Sequence, residues 1–297
     1  MEEKQRNGRF CCNFFMKIIL SPAKRHPPPQ TAVYLQSKTD NNFSLTLKNF
    51  SIMATTEISA QSNNAQNNNG ITELVIIIDK SGSMSGLESD TIGGFNSMLN
   101  QHKKGEGLCR LTTIFFSDNA KIIHDRVDIS TVKPLTAADY IPGGCTALLD
   151  TVGNAISHTK AIQAGASADT RANKVVFVII TDGYENASRE YNALQIKQMI
   201  TLLQDKEGWD FIFLGANIDA VQTASSYGIR SNMSANITAD SEGIQSSYRV
   251  VHKAVSAARL ASKCAARSKG AAPARSLSED VAFLQELLDL DSQSASN

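Results

Sequence analysis

Leu74-Val75-Ile76-Ile77-Ile78 is an unbroken run of branched aliphatic residues that ends on Asp79-Lys80-Ser81-Gly82-Ser83. A strand with one wet face alternates apolar and polar residues, so five apolar residues in a row demand burial on both faces. That places the strand in a mostly parallel sheet covered by helices. Two runs of the same kind follow, Val175 to Ile180 and Phe211 to Leu214. Helical spacing lies between and after them: Leu87, Thr91, Phe95, Met98 and His102; Leu148, Leu149, Val152 and Ile156; Ile196, Met199, Ile200 and Leu203; Ile244, Tyr248, Val251, Val255 and Ala258. Leu111 to Phe116 and Lys121 to Val127 are strand-like and joined by four residues, Ser117 to Ala120, which predicts a hairpin and one antiparallel strand. Strands alternating with helices predict a doubly wound α/β domain, mostly parallel, with helices on both faces, over residues 71–262.

The flanks read differently. In residues 1–70, Arg25-His26-Pro27-Pro28-Pro29 opposes regular structure and the Asn-rich stretch from Asn63 to Asn69 has nothing to bury. Phe43 to Ile52 could form one short strand, with no evident partner. The expectation is an extension without a fold. Residues 263–297 read as a linker around Pro273 followed by a short helix. Ser276-x-x-Glu279 suggests a capping box, and Val281, Leu284, Leu287 and Leu288 form a stripe that either packs on its own domain or docks a partner.

Composition removes several classes of function. Lys plus Arg and Asp plus Glu each number 29, a formal net charge of zero, which argues against nucleic-acid and acidic-membrane partners. Five cysteines without metal-site spacing suit a reducing, cytoplasmic setting. Phe14 to Leu20 is interrupted by Lys17 and lacks a cleavage site, so no signal peptide is expected, and no run approaches a membrane span.

Ligands of open α/β sheets bind at the carboxyl ends of the strands. There the chain carries Asp79-x-Ser81-x-Ser83 after the first buried run, Thr181-Asp182-Gly183 after the second, and Pro142-Gly143-Gly144-Cys145-Thr146 ahead of the second predicted helix. Asp79, Ser81, Ser83, Thr146 and Asp182 together are hard oxygen donors, which favours Mg²⁺, Mn²⁺ or Ca²⁺ over zinc or copper. Taken singly, each piece also suits helix capping or a turn. Their placement in order at successive strand ends is what points to a metal. A haloacid dehalogenase-type phosphatase needs a second aspartate where this chain has Ser81, and no Walker lysine loop is present. Asp139, Asp150 and Glu185 read as solvated carboxylates, and His102, His124 and His158 as surface residues. No nucleophile can be named, so no enzyme is expected; a hydrolase that activates water on the same cation is the alternative.

The segment from Ile71 to about Leu260 resembles a von Willebrand factor A-type domain, and Asp79, Ser81, Ser83, Thr146 and Asp182 match its metal-ion-dependent adhesion site. The resemblance implies a Rossmann-like fold. It also implies a cation contacted by the two serines and the threonine and held by the aspartates directly or through water. A protein partner's Asp or Glu carboxylate would complete the shell. Asp79 to Asn96, Thr181 to Ser188 and Phe211 to Asp219 are similar to stretches of small bacterial and phage proteins in which this domain stands nearly alone.

Overall fold

The computed structural model describes residues 70–267, 276–279, 284 and 287. Contacts divide the chain into residues 1–63 and 64–297, and every described residue belongs to the second group. The strand considered at Phe43 to Ile52 and the Asn-rich stretch lie outside the described residues.

Among the described residues six strands form one sheet: β1 (Ile71–Asp79), β2 (Leu108–Phe116), β3 (Ala120–Asp128), β4 (Lys174–Thr181), β5 (Asp210–Gly215) and β6 (Ser234–Asn236). Their order is β3-β2-β1-β4-β5-β6, with only the β2–β3 pair antiparallel. Leu74 to Ile78 and Val176 to Val178 are wholly buried, as strands covered on both faces must be. The predicted hairpin is β2–β3, closed around Ser117-Asp118-Asn119.

The predicted helices are α1 (Glu88–Lys103), α2 (Leu148–Gly165), α3 (Ala193–Glu207) and α5 (Ser241–Arg267). α3 starts at a capping box between Asn192 and Gln195 and stops at Gly208, whose φ of 65° is the left-handed turn that glycine adopts without a steric cost. α1 and α5 pack closely where Gly94 meets the Tyr248 ring. A Cβ there would sit 2.4 Å from Tyr248 Cδ2, so the glycine sets the separation of the two helices. α5 continues to Arg267, past residue 262, and its buried Ser262 lies against Gly70.

Two elements were not foreseen, the short helix α4 (Ala220–Ser226) and the edge strand β6. Seven and three residues are too few to show a period. His102 also departs from expectation: it is buried, not at the surface. The stripe it completes on α1 faces α5, where His252 Nδ1 lies 3.1 Å from its Nε2 and Arg259 donates to its carbonyl at 2.8 Å.

The end of the chain packs on its own domain where it is described. Leu277 and Leu284 are buried in the core and Leu287 packs against it. Asp210 and Lys174 form a buried ion pair at 2.6 Å. Ser276 Oγ donates to Asp210 Oδ1 at 2.5 Å, and the Leu277 N–H to Oδ2 at 3.1 Å. The Ser276 hydroxyl thus serves Asp210, a use not foreseen for it. Val281 and Leu288 lie outside the described residues.

Candidate metal centre

The strand order reverses between β1 and β4, since the chain builds β2 and β3 on one side of β1 and then crosses to the other. Such a switch point leaves a crevice at the carboxyl ends of the two strands. Asp79 ends β1 and Asp182 follows β4, so both carboxylates stand at that crevice. Each is buried.

The five residues singled out in the sequence converge there. Ser81 N–H donates to Asp79 Oδ1 at 2.7 Å, the Ser81 and Ser83 hydroxyls lie 3.1 Å apart, and Ser83 Oγ donates to Asp182 Oδ1 at 2.7 Å. Thr146 stands just before α2 and closes the ring. A Cβ placed on Gly183 would lie 3.8 Å from Thr146 Oγ and 3.9 Å from Ser83 Oγ, in the space between these hydroxyls. The loops are pinned to one another through the backbone, Gly82 N–H to Gly144 carbonyl at 3.0 Å and Gly143 N–H to Lys80 carbonyl at 2.8 Å. Gly144 has a φ of 85°, a left-handed conformation that glycine adopts without steric cost and that would strain another residue, and a Cβ there would crowd the Asp118 carboxylate.

Burial raises the Asp79 carboxyl above the usual carboxylate range, against the lowering effect of its hydrogen bonds from Thr181 and Ser81. Asp182 is raised too, first by burial and further by the neighbouring Asp79 charge. Asp182 Oδ2 is buried without a hydrogen-bond partner. Two desolvated carboxylates, three hydroxyls and an orphaned carboxylate oxygen in one crevice are a donor set that a divalent cation suits, because it would neutralise the pair and occupy the orphan. Among the described residues no group of three or more His, Cys, Asp and Glu could hold a metal ion; this crevice has two carboxylates, and its other donors are hydroxyls.

Several supporting residues went unrecognised in the sequence. Thr181 Oγ donates to Asp79 Oδ2 at 2.6 Å, and Tyr140 OH donates to the Asp79 carbonyl at 2.5 Å. Asn186 brackets Thr146, its Oδ1 accepting from the Thr146 N–H at 2.8 Å and its own N–H donating to the Thr146 carbonyl at 3.0 Å. Glu185 and Asp150 are organised anchors, not freely solvated carboxylates. Glu185 accepts from the N–H groups of Leu149, Ala187 and Ser188 and from the Ser188 hydroxyl. Asp150 accepts from the N–H groups of Arg189, Glu190 and Tyr191 at 2.7–2.8 Å. Together they tie the loop after β4 to the start of α2. Only Thr181, at a strand end beside Asp182, carried a positional signal; Tyr140, Asn186, Asp150 and, through Leu149, Glu185 act across 36 to 61 residues of chain.

The model of the von Willebrand factor type A domain matches residues 73–246 of the 297. The chain belongs to the von Willebrand factor type A family. A comparison with curated protein sequences gives no match. Among solved structures, the A domain of the type V pili tip protein Mfa5 from Porphyromonas gingivalis is similar at 11% identity and TM-score 0.45, covering 63% of this chain and 95% of that one. Proximal thread matrix protein 1 from the mussel byssus is similar at 15% identity and TM-score 0.44 over 66% of this chain and 48% of that one, so the chain spans about half of its length. One structure of that mussel protein is described with zinc in its metal-ion-dependent adhesion site (14% identity, TM-score 0.43, 65% and 47%).

Proposed function

We propose that this A domain is a metal-dependent protein-binding module, working in a reducing cytoplasm, and not an enzyme. Asp79, Ser81, Ser83, Thr146 and Asp182 would hold one divalent cation, Mg²⁺ by preference of the oxygen donors, with Mn²⁺ or Ca²⁺ as substitutes. The observation that carries the reading is the orphaned, buried Asp182 Oδ2 beside a second buried carboxylate and three hydroxyls. When bound, the cation supplies a Lewis-acidic position that attracts an anionic oxygen. Where the aspartates act through water, neutral hydroxyls alone in direct contact would leave it strongly electrophilic, and a partner's Asp or Glu is the protein group that would answer it.

The chain's own residues favour binding over hydrolysis. A hydrolase needs a free base beside the metal ligands. Glu185, the carboxylate next along the loop, spends both oxygens on backbone and hydroxyl donors, and Asp150 is occupied in the same way.

Calorimetric titration with Mg²⁺ and with Mn²⁺ tests the proposal on the wild type and on Asp79→Ala. Saturable heat in the first and none in the second is expected; equal heats would remove the metal site. Mg²⁺-dependent hydrolysis of phosphoesters or peptides, lost in Asp182→Ala, would replace the binding module with the hydrolase.

A further inference from the structure

The end of the sheet opposite the metal centre holds a cavity of about 620 Å³, at the amino ends of β4 and β5 where α2 and α3 both stop. Lys160 of α2, Arg171 in the loop that follows and Lys206 of α3 line it, so three separate segments each contribute a cation. Glu207 is the one acid among the described residues of the lining. None of the three cations has an ion-pair partner among the described residues. Other cations at this end of the sheet are paired, Lys174 with Asp210, Arg126 with Glu73 and Arg230 with Asp205. The carbonyl ends of α2 and α3, which attract positive charge, are already served. Arg171 Nη2 donates to the Ala166 carbonyl at 3.1 Å, and Lys174 Nζ donates to the Gly208 carbonyl at 2.9 Å. Lys160 and Lys206 are therefore brought together with nothing in the described chain but Glu207 to offset them.

The rest of the wall is fixed in place. Gln163 Oε1 accepts from the Ala172 N–H at 2.9 Å while its Nε2 donates to the buried Glu73 at 3.1 Å, and Asn173 Oδ1 accepts from the Ile71 N–H at 2.8 Å. Trp209 is 3% exposed and stacks on Phe177 with centroids 5.8 Å apart, so with Ala164 and Val175 it gives the cavity a rigid apolar wall. The Asn173 NH2 group and the Trp209 indole N–H have no partner among the described residues, so the unused polar groups are donors apart from Glu207. An apolar wall with a few convergent polar groups, in a volume of roughly 300–1,000 Å³, is the form of a small-molecule site. A phosphate monoester carries a charge of about −1.5 to −2 at pH 7 and three strong acceptor oxygens, and so answers three cations set against one carboxylate better than a singly charged carboxylate would. We propose that this cavity binds a small organic phosphate, a phosphate monoester on an apolar or planar body of nucleoside size, at a site independent of the metal centre. Lys160, Arg171 and Lys206 hold the phosphate, and the Trp209 wall takes the body.

Trp209 is the only tryptophan of the chain, so its emission reports on this cavity and not on the metal centre. Adenosine 5′-monophosphate, adenosine and inorganic phosphate are each titrated into the full chain at constant ionic strength. Chelator is present throughout, so that no cation at Asp79 and Asp182 can hold a phosphate. The monophosphate should change the emission saturably and bind at least about tenfold tighter than adenosine or inorganic phosphate. The double variant Lys160→Gln/Lys206→Gln, at two exposed positions, should weaken it by about tenfold or more with the thermal midpoint unchanged. Asp79→Ala should leave its binding as in the wild type. No saturable response, equal affinity for adenosine or for inorganic phosphate, or unchanged affinity in the double variant overturns the proposal. Tighter binding of a blocked phosphotyrosine tripeptide than of the monophosphate would make the ligand a phosphorylated protein and overturn the small-molecule assignment.

Discussion

Thr181 Oγ donates a 2.6 Å hydrogen bond to Asp79 Oδ2, so the last residue of β4 holds the carboxylate that ends β1. With Ser81 N–H on the other oxygen at 2.7 Å, Asp79 is fixed from both sides before any cation arrives. Groups that orient a ligand in this way matter to metal affinity nearly as much as the ligand. Thr181→Val keeps the shape and removes the donor. Mg²⁺ affinity should fall about 10- to 100-fold, and calorimetry on a variant whose far-UV spectrum is unchanged checks it.

Asp182 provides a second test, because its two roles pull in opposite directions. Without metal it is a buried acid raised by desolvation and by the Asp79 charge, with one oxygen unpartnered. Asp182→Asn keeps the acceptor for Ser83 and removes the charge repulsion. Its thermal midpoint in chelator should rise by a few degrees, about what 1 kcal/mol produces in a domain of this size, while the stabilisation that Mg²⁺ gives the wild type disappears. A midpoint lowered in chelator would show that the Asp182 charge supports the fold.

The parts of this molecule legible in the sequence are those with long periods or close spacing. β1, β4 and β5 show as apolar runs because both faces are covered, and the helix stripes show because each packs on the sheet or, for α1, largely on α5. Ser81 and Ser83 were recognisable because they follow Asp79 within four residues of one strand end. Asp150 and Glu185 were not, because a carboxylate that caps backbone N–H groups across a loop looks in sequence like one in water. His102 misled for a related reason: polarity argued for the surface, yet its place in the α1 stripe argued for burial, and packing against α5 decided it. β6 has three residues, too few for any pattern.

The tail is part of the folded domain at the residues that touch it. Leu284 is buried, and its replacement by Ala should cost about 2–5 kcal/mol, the range for deleting a packed aliphatic side chain. Ser276→Ala withdraws one donor from the buried Asp210 carboxylate and should cost about 1–3 kcal/mol. A chain ending at Arg267 loses both Ser276 and Leu277 donors and should melt well below the full-length protein. Chemical denaturation of the three variants decides the matter, and stability unchanged on truncation would mean the segment only rests on the surface.

The His102–His252 contact predicts acid sensitivity at a place remote from the carboxylates. Burial, helped by the nearby His252 and Arg259, pushes the His102 imidazole down to about 3, against 6.5 for the free side chain, and His252 is lowered as well. Between those limits the unfolded chain binds a proton that the folded chain refuses, so the unfolded state binds more protons and stability rises with pH. The contribution is fully present above pH 6.5 and is lost as pH falls toward 3. From pH 7.5 to pH 5 the loss assignable to His102 is about 2 kcal/mol by linkage. His102→Gln removes the titrating group and keeps a polar side chain of similar reach. Urea denaturation at the two pH values should show the wild type losing about 2 kcal/mol more than this variant. Parallel pH profiles for the two proteins would mean that His102 is solvated enough to protonate in the folded state, and the α1–α5 contact would then have to open in acid.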